Sequence, residues 1–168
     1  MLRMNYHDIK HSNMVNGDGL RTVIWVSGCS HRCPGCFNTQ THCPASGTVF
    51  DDNAKIELFK YLNTDWCDGV TFSGGDPLFE TNVSTILDLC KEIKTKYPTK
   101  TIWLYTGYTW EAIIHDINRS KILKYIDILV DGPFIESLVD KKLKWVGSSN
   151  QNIIDVQARL SLISSIFS

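Results

Sequence analysis

Thr22-Val-Ile-Trp-Val26 runs straight into Ser27-Gly-Cys-Ser-His-Arg-Cys-Pro-Gly-Cys-Phe-Asn38, and this junction decides the fold. The first five residues are all β-branched or aromatic and read as a buried strand. Three cysteines follow at once, Cys29, Cys33 and Cys36, in the spacing C-x3-C-x2-C. In α/β proteins the C-terminal edge of the strands is where ligands bind, so a strand that ends in ligating residues points to that class. Three thiolates this close suit an iron–sulfur cluster, which normally takes four cysteines. A cubane 4Fe–4S cluster held by three would keep one iron open to a substrate or cofactor. Pro34 fixes φ and Gly35 permits a strained backbone, so the turn between Cys33 and Cys36 can bring the thiolates together.

Other readings of the cysteines compete with this one. A disulfide network fits poorly, because Met1-Leu-Arg-Met-Asn-Tyr-His-Asp8 lacks the apolar core of a signal peptide and the composition is not that of a secreted scaffold. Zinc is the serious rival, with Cys43, His31 or His42 as a fourth ligand. Structural zinc sites, however, pair two short ligand elements across a longer spacer, and here all candidates crowd into one loop. Cys67 and Cys90 read as structural thiols. Cys43 stays open between a core and a loop thiol.

The 168 residues make a single domain, 1–168, of ordinary size. Hydrophobic residues are 43% and charged residues 21%, a normal globular mix, and the formal net charge is -1. That balance gives no electrostatic case for nucleic acid, and no apolar stretch is long enough to span a bilayer. Cytoplasm is the default, where thiols stay reduced and metal binding is favoured over disulfides.

Outward from the cysteine loop the chain alternates strands and helices. A helix is expected over 53–63, capped by Asp52 or Asn53, with Ile56, Phe59 and Leu62 toward the core. Gly69-Val-Thr-Phe72 is a strand that runs into Ser73-Gly-Gly-Asp-Pro77. Residues 81–96 form an amphipathic helix with Val83, Ile86, Leu87, Cys90 and Ile93 on one face. Lys100–Tyr105 is a strand, 109–118 a helix, and Ile126–Val130 a strand ending at Asp131-Gly-Pro-Phe134. A fifth strand is expected over 142–146, before Gly147-Ser-Ser-Asn-Gln151. The tail after 155 is apolar enough to pack or to meet a partner. Asn16-Gly-Asp-Gly-Leu-Arg-Thr22 leads into the first strand, and Arg21 either meets a carboxylate or a partner chain or is a surface arginine. His7, His11 and His115 show no partner spacing and read as solvated or satisfied.

This alternation implies right-handed βαβ units. With about five to six parallel strands, too few for a closed eight-stranded barrel, the expected fold is α/β, a partial, open (β/α) barrel. An open mouth suits a large substrate such as a loop of another protein. Two glycines in Ser73-Gly-Gly-Asp-Pro77 allow a close backbone approach that can hold a charged amino group, although a plain βα turn has the same composition. Phe37 either covers the cluster or an adenine face, or packs in the core. The Asp131 and Ser148 segments alone read as a turn and a capped loop.

Together these segments resemble the radical S-adenosylmethionine superfamily, by Cys29-x3-Cys33-x2-Cys36 after a first strand. The combination of Gly17-Asp-Gly-Leu-Arg-Thr22, Cys33-Pro-Gly-Cys36-Phe-Asn38, Ser73-Gly-Gly-Asp-Pro77, Asp131-Gly-Pro-Phe134 and Gly147-Ser-Ser-Asn-Gln151 with Ile154-Asp155 resembles, more narrowly, the glycyl-radical-enzyme activases that serve the anaerobic ribonucleoside-triphosphate reductase. Gly35 before the last cysteine is usual for that subgroup. Lys144-Trp-Val146 departs from it, since an arginine often stands next to the glycine there.

The resemblance implies an enzyme with two cofactors, a 4Fe–4S cluster on Cys29, Cys33 and Cys36 and S-adenosylmethionine chelated at the open iron. Gly35, Cys36 and Phe37 would lie against the adenosine, and Gly74, Gly75 and Asp76 would hold the methionine amino group, with no catalytic residue beyond the cluster ligands. One-electron cleavage would give a 5′-deoxyadenosyl radical that takes a hydrogen atom from a glycine of the partner. The implied partners are the large subunit of the reductase and an electron donor such as flavodoxin, with a homodimer or a heterotetramer with the reductase as the assembly. The competing functions are an activase of another glycyl radical enzyme, such as pyruvate formate-lyase, and a non-catalytic iron–sulfur or zinc module.

Overall fold

A computed structural model describes residues 3–168, so Met1 and Leu2 of the stretch read for a leader lie outside the described residues. Seven strands form one sheet: β1 (Asn5–Asn13), β2 (Arg21–Val26), β3 (Thr48–Val49), β4 (Gly69–Gly74), β5 (Thr101–Tyr105), β6 (Ile128–Asp131) and β7 (Asn152–Asp155), in the order β3-β1-β2-β4-β5-β6-β7. The helices are α1 (Asp52–Phe59), α2 (Val83–Lys96), α3 (Trp110–Ile114) and α4 (Val156–Ile166). The protein is therefore α/β, with a sheet that is mixed and open. Four strands, β2, β4, β5 and β6, are parallel, where five to six were expected. Antiparallel pairs flank them, β1 on β2 and β3 on β1 at one side, β7 on β6 at the other.

Strand β1 was not expected because Asn5-Tyr-His-Asp-Ile-Lys-His-Ser-Asn13 is mostly polar; its strand geometry comes from pairing with the apolar β2. The strand expected over 142–146 does not form. Trp145 stands at φ +63°, outside the extended region, and its ring packs edge-on against Trp103 at 5.1 Å. The last strand is β7 instead.

One face of the sheet presents Ile24, Val26, Val70, Phe72, Ile102, Leu104 and Leu129 to the main hydrophobic cluster, where Leu58 of α1 and Ile86, Leu89, Cys90 and Ile93 of α2 meet them. Asp51 caps α1, its side chain accepting from Ala54 N at 2.9 Å, so the cap is neither of the residues expected. Ala54 and Leu58 then set the buried stripe, and Leu62 follows it in the turn beyond the helix. Ile56, two residues and about 200° from Ala54, is 68% exposed rather than in the core. Helix α3 is shorter than the expected 109–118, because the Asp116 carboxylate accepts from Asn118 N and Arg119 N and starts a separate 3-10 turn, Arg119–Lys124.

The other face holds a buried arginine. Arg21 is 1% exposed and is neither a surface residue nor paired with a carboxylate. Its guanidinium donates to Thr71 Oγ1 (2.8 Å), Thr101 Oγ1 (2.9 Å) and the carbonyls of Asp18, Val70 and Thr101 (each 2.9 Å). It lies over the Trp103 ring, 5.5 Å from the centroid. Burial pulls its pKa down to about 10, leaving it charged at neutral pH. The side chain joins three parallel strands and pins the loop before β2 onto the sheet.

Replacing Arg21 by Met should keep the volume but leave these acceptors unpaired. A loss of about 3 kcal/mol in urea unfolding of the cluster-free protein is expected; unchanged stability would contradict the role given to this side chain.

Candidate functional site

The loops that leave β2, β4, β5 and β6 all emerge at the C-terminal edge of the parallel strands and enclose one cavity of about 210 Å³. Cys29, Cys33 and Cys36 line it, together with Phe37, Gly74, Gly75, Thr106, Gly107, Gly132 and Gly147. The spacing motif thus brings its three thiols to one place. Cys36 N donates to Cys33 O at 3.1 Å to close the turn, and Gly35 takes φ +74°. A Cβ on Gly35 would meet only the Glu136 carboxylate, the flexible end of an exposed side chain, so it is the positive φ rather than the space that calls for glycine here. Gly35 itself is exposed and does not line the cavity, whereas Cys36 and Phe37 do.

The donor set fits a cluster with one open iron. All three thiols are free of disulfides and partly accessible. Cys43 is exposed and does not line the cavity, while Cys67 and Cys90 are buried in the core, where burial pushes the Cys90 thiol well up. Burial also raises the Cys29 thiol, opposed by hydrogen bonds from the His31 and Arg32 backbone; metal binding replaces that proton outright. Among the described residues, no three Cys, His, Asp or Glu side chains close on one point as a mononuclear site requires. Thiolates of a cubane each take a different iron and stand further apart.

Gly74 and Gly75 are at the wall, and they are also constrained by packing. A Cβ on Gly74 would fall 2.5 Å from Val26 N, and one on Gly75 2.6 Å from Gly28 O. Gly75 N donates to Val26 O and Asp76 N to Gly28 O, both at 2.8 Å, which zips the glycine loop to the cysteine loop. Asp76 does something different from its two neighbours. It is fully buried, and its carboxylate accepts from Leu78 N (2.8 Å), Thr106 Oγ1 (2.9 Å), Gly107 N (3.0 Å) and His31 Nε2 (2.9 Å). These bonds staple the loops after β2, β4 and β5 beneath the cavity floor. Asn82 adds a second staple, donating to Ser27 O (2.7 Å) and Asp76 O (2.9 Å).

The fourth wall is built by two segments that looked separate in sequence. Gln151 Oε1 accepts from Gly147 N at 2.8 Å while its Nε2 donates to Gly132 O at 3.0 Å. Asn150 donates to Pro133 O at 2.7 Å, and Ser148 Oγ accepts from Ile135 N at 3.1 Å. The late Gly147–Gln151 segment therefore holds Gly132-Pro-Phe134 in place. Phe134 stands 5.3 Å from Phe37 in a tilted pair. Phe37 is 77% exposed, which rules out the core-packing alternative and leaves its ring at the mouth.

Sequence reasoning assigned no site role to Tyr105, Thr106 and Gly107, which line the cavity, and reached Asn16 and Ser73 only as members of the two glycine-rich segments. Thr106-Gly107 carried a usable signal, since it follows the C-terminal end of a parallel strand. Asn16 opens the glycine-rich entry loop whose composition permits a tight approach near the cysteines, and that loop does reach the cavity.

The chain matches the 4Fe-4S single cluster domain family over residues 15–154. It is 41% identical over 150 residues to the anaerobic ribonucleoside-triphosphate reductase-activating protein of Enterobacteria phage T4, covering 89% of this chain and 93% of that one. The protein of the same description from Vibrio cholerae is 41% identical over 152 residues, 89% of this chain and 97% of its own. That of Escherichia coli K12 is 40% identical over 150 residues, 88% and 96%.

If Asp76 is a staple, its removal must be felt without any ligand. Asp76→Ala should destabilise the cluster-free protein by about 2–4 kcal/mol in chemical denaturation, through the buried donors it strands. A side chain that served only a bound ligand would leave that measurement unchanged.

Proposed function

Because the chain belongs to the family of anaerobic ribonucleoside-triphosphate reductase-activating proteins, we propose that it generates the glycyl radical of such a reductase, using a 4Fe–4S cluster and S-adenosylmethionine. The observation that carries this reading is the cavity with three free thiols and no fourth cysteine, at the ligand-binding edge of a parallel sheet. Held by Cys29, Cys33 and Cys36, a reduced cluster would supply the one electron for cleavage of S-adenosylmethionine, so that methionine and 5′-deoxyadenosine would be released as a hydrogen atom is taken from the partner's glycine. On this reading the protein is a radical S-adenosylmethionine oxidoreductase, and its four parallel strands are the core of a partial barrel.

The residues of the chain divide the remaining work. Cys29, Cys33 and Cys36 hold three irons. Gly74 and Gly75 present backbone, without side chains, to the methionine amino group. Gly35 gives the Cys36-Phe37 pair its position, and Phe37 with Phe134 offers an aromatic wall to the adenine. Asp76, assigned with the two glycines to the amino group, acts through the loops it ties and leaves that contact to the backbone. The reductase's large subunit is the protein substrate and a small electron-transfer protein such as flavodoxin the reductant; a homodimer or a heterotetramer with the reductase is the proposed assembly. Among the described residues no helix is long and apolar enough to cross a membrane, in keeping with a cytoplasmic site of action.

Anaerobic reconstitution with iron and sulfide, reduction, and assay of 5′-deoxyadenosine test the proposal. Product should require both reductant and S-adenosylmethionine and should vanish in Cys36→Ala, whereas Cys43→Ala should keep full iron. Cluster loss in Cys43→Ala would favour a four-ligand binding module, and radical formation on pyruvate formate-lyase in preference to the reductase would identify the other activase class.

A further inference from the structure

We propose that His31 is a positioning residue for the iron–sulfur cluster: through its bond to Asp76 it anchors the segment between Cys29 and Cys36 and thereby fixes the surroundings of the Cys29 sulfur. This rests on the cluster of the activase reading above. Little else holds that segment. Among the described residues, positions 30–35 make one hydrogen bond to the chain beyond the loop, from His31 Nε2 to Asp76 Oδ2 at 2.9 Å. The neighbouring bonds belong to the ends of the loop: Cys29 N donates to His42 O at 3.1 Å, and Thr41 N donates to Asn38 O at 2.9 Å.

The ring has a built seat. Gly107 lies against it, and a Cβ there would fall 2.4 Å from His31 Cδ2, so the missing side chain is what leaves room. Tyr108 meets the ring edge-on at 4.5 Å. Tyr108 is fixed in turn by Arg119, which donates to its hydroxyl at 3.0 Å and lies over its ring, 4.1 Å from the centroid. The His31 side chain is only 18% exposed, although Ser30, Arg32 and Pro34 around it are open to solvent. Facing a carboxylate, its Nε2 carries the proton.

Asp76 does not depend on this bond. It keeps Leu78 N, Thr106 Oγ1 and Gly107 N as donors when His31 is taken away. The loop is what gains. Arg32, next to His31, stands at φ +47°, in the left-handed region, and its exposed side chain makes no hydrogen bond among the described residues. Such a conformation persists only where the surroundings enforce it, and His31 is the anchored neighbour. The His31 and Arg32 amides face the Cys29 sulfur. Hydrogen bonds to the sulfurs are among the factors that set a cluster's reduction potential, and partners behind the ligands orient them.

The test compares His31→Leu, which keeps the bulk and loses the donor, with His31→Gln, which keeps an N–H donor, in the full-length protein. In the cluster-free form, trypsin cleavage after Arg32 is followed by mass spectrometry, and unfolding by urea. After anaerobic reconstitution, the cluster's midpoint potential is read by redox titration with electron paramagnetic resonance, and S-adenosylmethionine cleavage is a separate channel. His31→Leu should be nicked about tenfold faster than the parent, with a urea midpoint near the parent's. Its cluster should be reduced at a more negative potential, because N–H donors to sulfur favour the more negative, reduced state. His31→Gln should return both readings toward the parent. A His31→Leu protein that takes up no cluster supports the proposal where His31→Gln loads. Parent-level nicking in His31→Leu overturns it. So does faster nicking with an unchanged potential, which would make His31 an anchor of the loop and nothing more. A urea midpoint as low as that of Asp76→Ala also overturns it, by assigning His31 to the fold. Failure of the parent to cleave S-adenosylmethionine would count against the activase reading, while nicking and potential would still decide His31.

Discussion

Everything at the site depends on one buried carboxylate. Asp76 sits at the end of β4 with no solvent to stabilise its charge, and it is satisfied by donors from three different loops. Each of those loops is a connection that the sheet alone would leave free. The strands fix where the loops begin, but Asp76 and Asn82 fix where they go. A buried polar network of this kind specifies a single arrangement, because any alternative leaves a charge or an amide unpaired in a low-dielectric interior. The cysteine loop inherits its position from that network through His31 and through the Gly28 contact.

Arg21 plays the corresponding part further down the same strands. It also lies buried and is satisfied by chain atoms, but its partners are neutral carbonyls and hydroxyls. Many acceptors around one guanidinium disperse the charge without a second buried ion, and Trp103 adds its ring face. The two networks brace the parallel strands at two levels, one under the loop before β2 and one under the cavity.

The parts that were legible in sequence were those with a local signature. β2, β4 and β5 are rich in β-branched and aromatic residues, α2 has a clear apolar stripe, and the cysteine spacing brings three thiols to one cavity. β1 was illegible because its strand geometry is imposed by its neighbour, and the 142–146 strand was misread because Leu143 and Trp145 have strand composition but no partner to pair with. Arg21 and Asp76 show the same limit at the level of side chains. A charged residue next to glycines reads as a surface or ligand group, and only the three-dimensional neighbours, distant by about thirty to eighty residues, reveal that it is internal. Phe37 went the other way: its neighbours leave it exposed at the mouth.

The Gln151 bridge has a consequence for the order in which the site comes into being. All three cysteines lie in the first quarter of the chain, but the wall opposite them is anchored by residues 147–151 and by the pairing of β7 with β6. On a ribosome the thiols emerge long before the segment that closes their cavity. Until residue 151 is free to reach Gly132, the nascent chain carries the three thiols in an unwalled loop, exposed to stray metal and oxidant. The compartment around the three thiols exists only once residues 147–151 have been made and have reached Gly132.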